Sequence, residues 1–290
     1  MINRIYFARL RNVLLIHTIL VFCVSAVLAQ QKQQPQPSTM VVAPRSNVDT
    51  LAEIKKSGKL RVGVAKIAPW AFHDKNDKTN NLVGFEIDVA KKMARDLGVE
   101  VEFYPVHFDY LLSDLLAERY DIIISGLSIT AERALKVNFS APYNVTHLTL
   151  AANEKMSKGF KTVESFNKSG ITIGVVHGTT AEEIGSLTFP NAKIKLYEED
   201  QALFKDLTED KISAAISDAP RPEAVAKGFP GIVTTFLKPL ATFPAAFAVR
   251  RGDPDFVNFL NSWIQERTVN GWIERRRKHW FNSFDWWESL

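Results

Sequence analysis

Cysteine is nearly missing. The 290 residues hold one, Cys23, inside an apolar N-terminal stretch. A disulfide framework is therefore excluded, and stability must come from a packed core. After that stretch no run is long and apolar enough to span a bilayer. A surplus of one charge is missing too. The formal net charge is +4, but Arg4, Arg9 and Arg11 stand in a first segment without acids, and without them it is +1. Charge gives no case for nucleic acid as a partner. His73, His107 and His147 are scattered with no metal-ligand spacing, so no metal is expected. There is no Walker-type phosphate loop, and no cofactor is expected.

What is present begins with a targeting pattern. Three Arg precede an apolar core, Val13 to Val24, and a small-residue end at Val27-Leu28-Ala29. Residues 1–29 read as a secretory signal peptide cleaved before Gln30, the alternative being an uncleaved membrane anchor. Residues 30–47, rich in Gln and Pro, read as a disordered linker. The remainder has a globular composition, with 46% hydrophobic and 23% charged residues overall, enough for one large or two modest domains.

The pattern from Val48 onward is a βαβ series. Thr50 caps a short helix, Leu51 to Lys56, and Leu60 to Val64 alternates as a strand. A loop follows with Ala68-Pro-Trp-Ala-Phe72. Leu82 to Asp88 leads into an amphipathic helix stopped at Gly98. Val99 to Pro105 is a strand, Phe108 to Ala117 a helix, and Asp121 to Ser125 a strand. A second series runs from Val145. It has strands at Ile171–Val176, Lys193–Tyr197 and Ser213–Ser217, with helices at 178–183 and 200–207 between them. Two βαβ series predict an α/β protein of two lobes. The tail is helical. Asp253 opens a helix ended by Gly271, and Trp272 to Trp280 forms a basic, aromatic helix read as packing with a solvated face.

One run stands out, Tyr120-Asp-Ile-Ile-Ile-Ser-Gly-Leu-Ser-Ile-Thr-Ala-Glu-Arg133. A short apolar strand breaks into small polar residues and then a helix capped by Thr130. Free backbone N–H groups at the end of such a strand form an anion-binding geometry, and Arg133 adds a two-pronged donor for a carboxylate. The same residues also suit an ordinary strand–turn–helix with a surface Arg. Similarly, Thr179-Thr-Ala-Glu182 is a good capping box on its own terms. Asp218 before Pro220 suits a plain turn, Trp70 and Phe108 suit ordinary core, and Glu86 and Asp88 suit helix capping.

Taken together, several segments resemble the periplasmic solute-binding proteins of polar amino-acid ABC transporters. They are Lys59–Val64, Gly84-Phe-Glu-Ile-Asp88, Phe108-Asp-Tyr-Leu-Leu112, the run ending at Arg133, Phe139-Ser-Ala-Pro-Tyr143, Gly178-Thr-Thr180 and Ala215-Ile-Ser-Asp218. The resemblance implies a type II periplasmic binding protein fold. Each lobe is then a mostly parallel sheet flanked by helices, and two strands cross between them. Lobe 1 would comprise 48–145 and 242–290, and lobe 2 would comprise 146–241. It implies that Arg133 holds a ligand α-carboxylate, with the backbone from Ser125 and Gly126 to Ser128 and with Thr179 and Thr180 from the second lobe. Asp218 would accept the ammonium, and Trp70, Phe72 and Phe108 would wall the side chain. The implied partners are a free amino acid and an ABC permease, in the periplasm, for a monomer that is not an enzyme. Placing no second Arg near the site disfavours glutamate and aspartate. A second implied function is a cyclohexadienyl dehydratase-like enzyme on the same scaffold, with Glu182, Glu183 and His177 as the candidate acids by position alone.

Overall fold

The structure is a computed structural model and describes residues 49–290 apart from Asn80. The expected signal peptide with Cys23, and the expected linker, lie outside the described residues.

Helix α1 (Thr50–Ser57) starts the fold. Its cap is Asp49, one residue before the Thr expected there, because the Asp49 carboxylate accepts from Ala52 N while Thr50 is buried. Gly58 closes the helix in the left-handed region, φ 69°. Strand β1 (Lys59–Ala65) follows, then the two-residue strands β2 (Phe72–His73) and β3 (Leu82–Val83). Helix α2 (Phe85–Leu97) leads to β4 (Glu100–Val106). The helix expected from Phe108 is a 3-10 turn, Phe108–Tyr110, running into α3 (Leu111–Leu116). Strand β5 is short, Ile122–Ile123, and α4 (Ala131–Ala134) is a single turn capped by Thr130, whose hydroxyl accepts from Arg133 N at 3.2 Å. Strand β6 (Asn138–Phe139) completes the first series.

The second series has β7 (Asn144–Asn153), β8 (Thr172–Val176), α5 (Thr180–Thr188), β9 (Lys193–Tyr197), α6 (Asp200–Thr208), β10 (Ala214–Asp218) and α7 (Arg221–Gly228). Strands β11 (Val233–Ala245) and β12 (Ala248–Val249) return the chain, and α8 (Pro254–Val269) and α9 (Trp272–Arg277) follow.

Two five-stranded sheets result, ordered β4-β1-β5-β12-β6 and β11-β7-β10-β8-β9. The βαβ strands pair in parallel, β4-β1-β5 in one sheet and β10-β8-β9 in the other. Antiparallel neighbours flank them, β12 and β6 in the first and β7 and β11 in the second. Both sheets are thus mixed, because the chain that crosses between lobes adds its own strands. The crossings run side by side: Tyr143 N donates to Ala245 O, and Asn144 pairs with Ala245.

Parallel strands buried on both faces read as unbroken apolar runs, and Ile122, Ile123 and Ile124 are all fully buried. The first lobe's core joins β1 and α2 to α8 and α9, from Val62 and Met93 to Phe256 and Trp263. The second lobe's core gathers around Leu150, Phe166, Ile173 and Ile216. The aromatic tail packs inward: Trp280 Nε1 donates to Asp88 at 2.8 Å, and Trp286 is 5% exposed among Ala68, Phe72 and Ala224.

Candidate functional site

The carboxyl ends of β1, β5, β8 and β10 converge between the lobes. Their loops line a narrow cleft formed by Ala65, Ile67, Trp70, Phe108, Ser125, Gly126, Ser128, Thr179, Thr180 and Asp218. Its free volume is about 20 Å³, close to what one water needs. Any larger occupant requires the lobes to part.

On the first lobe the strand–turn–helix run supplies the floor. Gly126 takes φ 57°, which only glycine adopts without cost, and Ser125 Oγ accepts from Ala65 N at 2.9 Å. The turn is bonded to the returning chain through Ile129 N to Pro244 O and Ala246 N to Leu127 O. Arg133 is 8% exposed and donates to Ser128 O and to Gly178 O, both at 2.9 Å. The second bond crosses to the other lobe. Its guanidinium also lies over the Phe108 ring, 5.5 Å from the centroid. Burial pulls its pKa down, and Glu132, Asp218 and Glu183 oppose that.

On the second lobe, Asp218 ends β10. The residue is half-buried, yet Oδ1 is out of reach of solvent and has no hydrogen-bond partner among the described residues. Burial pushes its carboxyl up to about 7, opposed by a hydrogen bond from Thr146 and by the charge of Arg133, and reinforced by Asp200. A carboxylate held in this way is an acceptor awaiting a donor.

Eight of the ten expected residues line this one cleft: Trp70, Phe108, Ser125, Gly126, Ser128, Thr179, Thr180 and Asp218. Arg133 joins them through Ser128 and Phe108. Phe72 does not. It sits with its ring 6.0 Å from Trp280 and 6.2 Å from Trp286, and it lines a separate cavity of about 350 Å³ with Lys66, Asp200 and Arg221. Of the two aromatics after β1, only Trp70 therefore faces the cleft.

The capping box at Thr179 is not formed. Thr179 Oγ1 donates to Val176 O, and Glu182 accepts instead from Gly178 N and contacts His177 Nδ1, each at 2.9 Å. That leaves His177 exposed, Glu182 engaged and Glu183 exposed, and none of the three lines the cleft. Glu86 does not cap its helix either. It is fully buried, and its Oε1 accepts from Tyr143 Oη at 2.7 Å and Gly126 N at 3.0 Å. The sequence did carry a signal for this, since Glu86 shares the helical stripe of Val89, Ala90 and Met93. A second buried charge, Arg221, pairs with Asp200 at 2.6 Å and has no counterpart in the reading above.

Residues 60–283 match the bacterial extracellular solute-binding proteins, family 3. The chain is 26% identical over 234 residues to the L-cystine-binding protein TcyJ of Escherichia coli K12, covering 80% of this chain and 86% of that one. It is 25% identical over 247 residues to the cyclohexadienyl dehydratase of Pseudomonas aeruginosa, covering 84% and 89%. Among solved structures it resembles the ancestral amino acid-binding protein AncCDT-1, described as a precursor of cyclohexadienyl dehydratase. That likeness has TM-score 0.73 and 34% identity, over 81% of this chain and 100% of that one.

Proposed function

The chain belongs to the bacterial extracellular solute-binding proteins of family 3, and from that premise we propose that it binds one free amino acid between its lobes and delivers it to an ABC importer. The observation that carries this reading is the pairing of opposite charges on opposite lobes. Arg133 stands on the first and Asp218, with its unpartnered Oδ1, on the second. Arg133 has five N–H donors and spends two on Ser128 and Gly178, so it keeps donors for an α-carboxylate. The backbone at Ser125–Ser128 and the Thr179–Thr180 start of α5 complete the carboxylate cradle, Asp218 accepts the ammonium, and Trp70 and Phe108 flank the side chain. Both charges of the ligand are desolvated on closure, so each needs a pre-oriented partner. Binding is thereby coupled to hinge closure, for which periplasmic binding proteins are a standard example.

The protein acts in the periplasm as a monomer that is not an enzyme, and its partners are the amino acid and the permease. Relatives named as binding proteins for cystine, arginine and histidine support this. A dehydratase is the second reading, favoured by the likeness to the Pseudomonas enzyme. The acids expected for it by position, Glu182, Glu183 and His177, do not line the cleft, and Asp218, which does, is the group assigned here to the ammonium. Thermal shift and calorimetry against the common amino acids and L-cystine, with prephenate and arogenate added, separate the two. Stabilisation by an amino acid recovered unchanged supports transport, and turnover of prephenate or arogenate selects the enzyme.

A further inference from the structure

Glu86 is a carboxyl group placed in the core directly under the ligand turn. It is 0% exposed, on the first turn of α2. Three parts of the site meet there. Its backbone N–H donates to Trp70 O at 2.9 Å, which fixes the loop carrying the aromatic wall. Its Oε1 accepts from Gly126 N, the amide of the turn that lines the cleft. The same oxygen accepts from Tyr143 Oη, and Gly126 N also reaches that hydroxyl at 3.3 Å. Tyr143 immediately precedes the first crossing strand and stacks on Phe247 beside the second, centroids 4.3 Å apart.

We infer that Glu86 is a positioning residue for the ligand site: its carboxyl group locks the Gly126 turn, the Trp70 loop and the hinge entry into one arrangement. Among the described residues its side-chain hydrogen bonds come from the Tyr143 hydroxyl and the Gly126 amide. Asp88, two residues on, faces Trp280 and Arg276 instead. Oε2 has no partner among the described residues. Burial accordingly pushes the carboxyl up to about 8, with the Tyr143 and Gly126 bonds opposing.

The inference rests on the proposed ligand site for its meaning, but its first readout needs no ligand. In full-length protein the Gly126 amide resonance should titrate near pH 8 and should not do so in Glu86→Gln. Tyr143→Phe removes a donor that favours the ionised form, so the midpoint should rise. With L-arginine and L-cystine as probes, Glu86→Leu, which removes the acceptor for the Gly126 amide, should bind at least ~tenfold more weakly than Glu86→Gln, which keeps one. A Gly126 amide that ignores pH between 6.5 and 9.5, or that titrates equally in Glu86→Gln, overturns the inference. If neither probe binds, the amide titration still decides the role of Glu86, and the failure belongs to the ligand reading alone.

Discussion

Lowering the pH from 8 to 5 should weaken amino acid binding on the order of 100-fold, roughly 3 kcal/mol, through Asp218 alone. The magnitude follows from the position of that carboxyl. Burial holds its pKa at about 7 in the ligand-free protein. Only the ionised form accepts an ammonium as a charge pair, and at pH 5 about one molecule in a hundred carries it. At pH 8 about nine in ten do. The sign is fixed by the same shift. A carboxyl raised by folding makes the ligand-free fold lose stability as pH climbs from the ordinary Asp range through 7, because the unfolded chain ionises more readily. An incoming ammonium reverses that penalty, so ligand-induced thermal stabilisation should grow over the same window. Calorimetry in buffers of different protonation enthalpy measures both quantities, and close to one proton should leave per ligand bound at pH 5–6. Asp218→Asn should bind weakly with a flat profile. An affinity constant from pH 5 to 8, or a slope that survives in Asp218→Asn, would refute the assignment of the ammonium to this group.

Arg133→Ala should cost about 2–5 kcal/mol of binding free energy, since it strands a desolvated carboxylate; titration of the variant with the amino acid that stabilises the parent checks this. Gly84→Ala should lower stability by roughly 2–4 kcal/mol, or ~5–15 °C in Tm. At Gly84 φ is 132°, and a Cβ would come 2.3 Å from the Trp70 carbonyl oxygen, so the wall of the cleft would have to move. Asp200→Ala should destabilise by about 3–5 kcal/mol in denaturant melts, because it leaves the buried Arg221 guanidinium without its counter-charge.

The local parts of this fold were legible because their causes are local. Thr130 caps α4, Gly58 and Gly98 end α1 and α2, and the apolar Ile122–Ile124 run announces a strand covered on both sides. Trp70, Phe108 and the Ser125–Ser128 turn follow strand ends, where a βαβ series delivers its loops, whereas Thr179, Thr180 and Asp218 were expected in a site only through the family resemblance. What stayed hidden depends on partners far along the chain. Glu86 reads as a helix cap until Gly126 and Tyr143, 40 and 57 residues away, come to its oxygen. Phe72 reads as cleft lining until Trp280 and Trp286 cover it from the tail. Glu182 has the spacing of a capping box, but a competing donor, the Gly178 amide, takes its oxygen.

Gly178 has a bearing on transport through what lies against it. Its φ is 74°, and a Cβ there would stand 2.8 Å from the Asp109 Cα, so main chain from one lobe already touches main chain from the other. Two backbones in contact form a mechanical stop. Closure goes no further than this contact, and since the cleft at this angle holds about one water, a bound amino acid stops the lobes short of it by an amount that grows with its bulk. Solution scattering curves from samples saturated with a small and a large amino acid should differ, the larger ligand giving the wider opening.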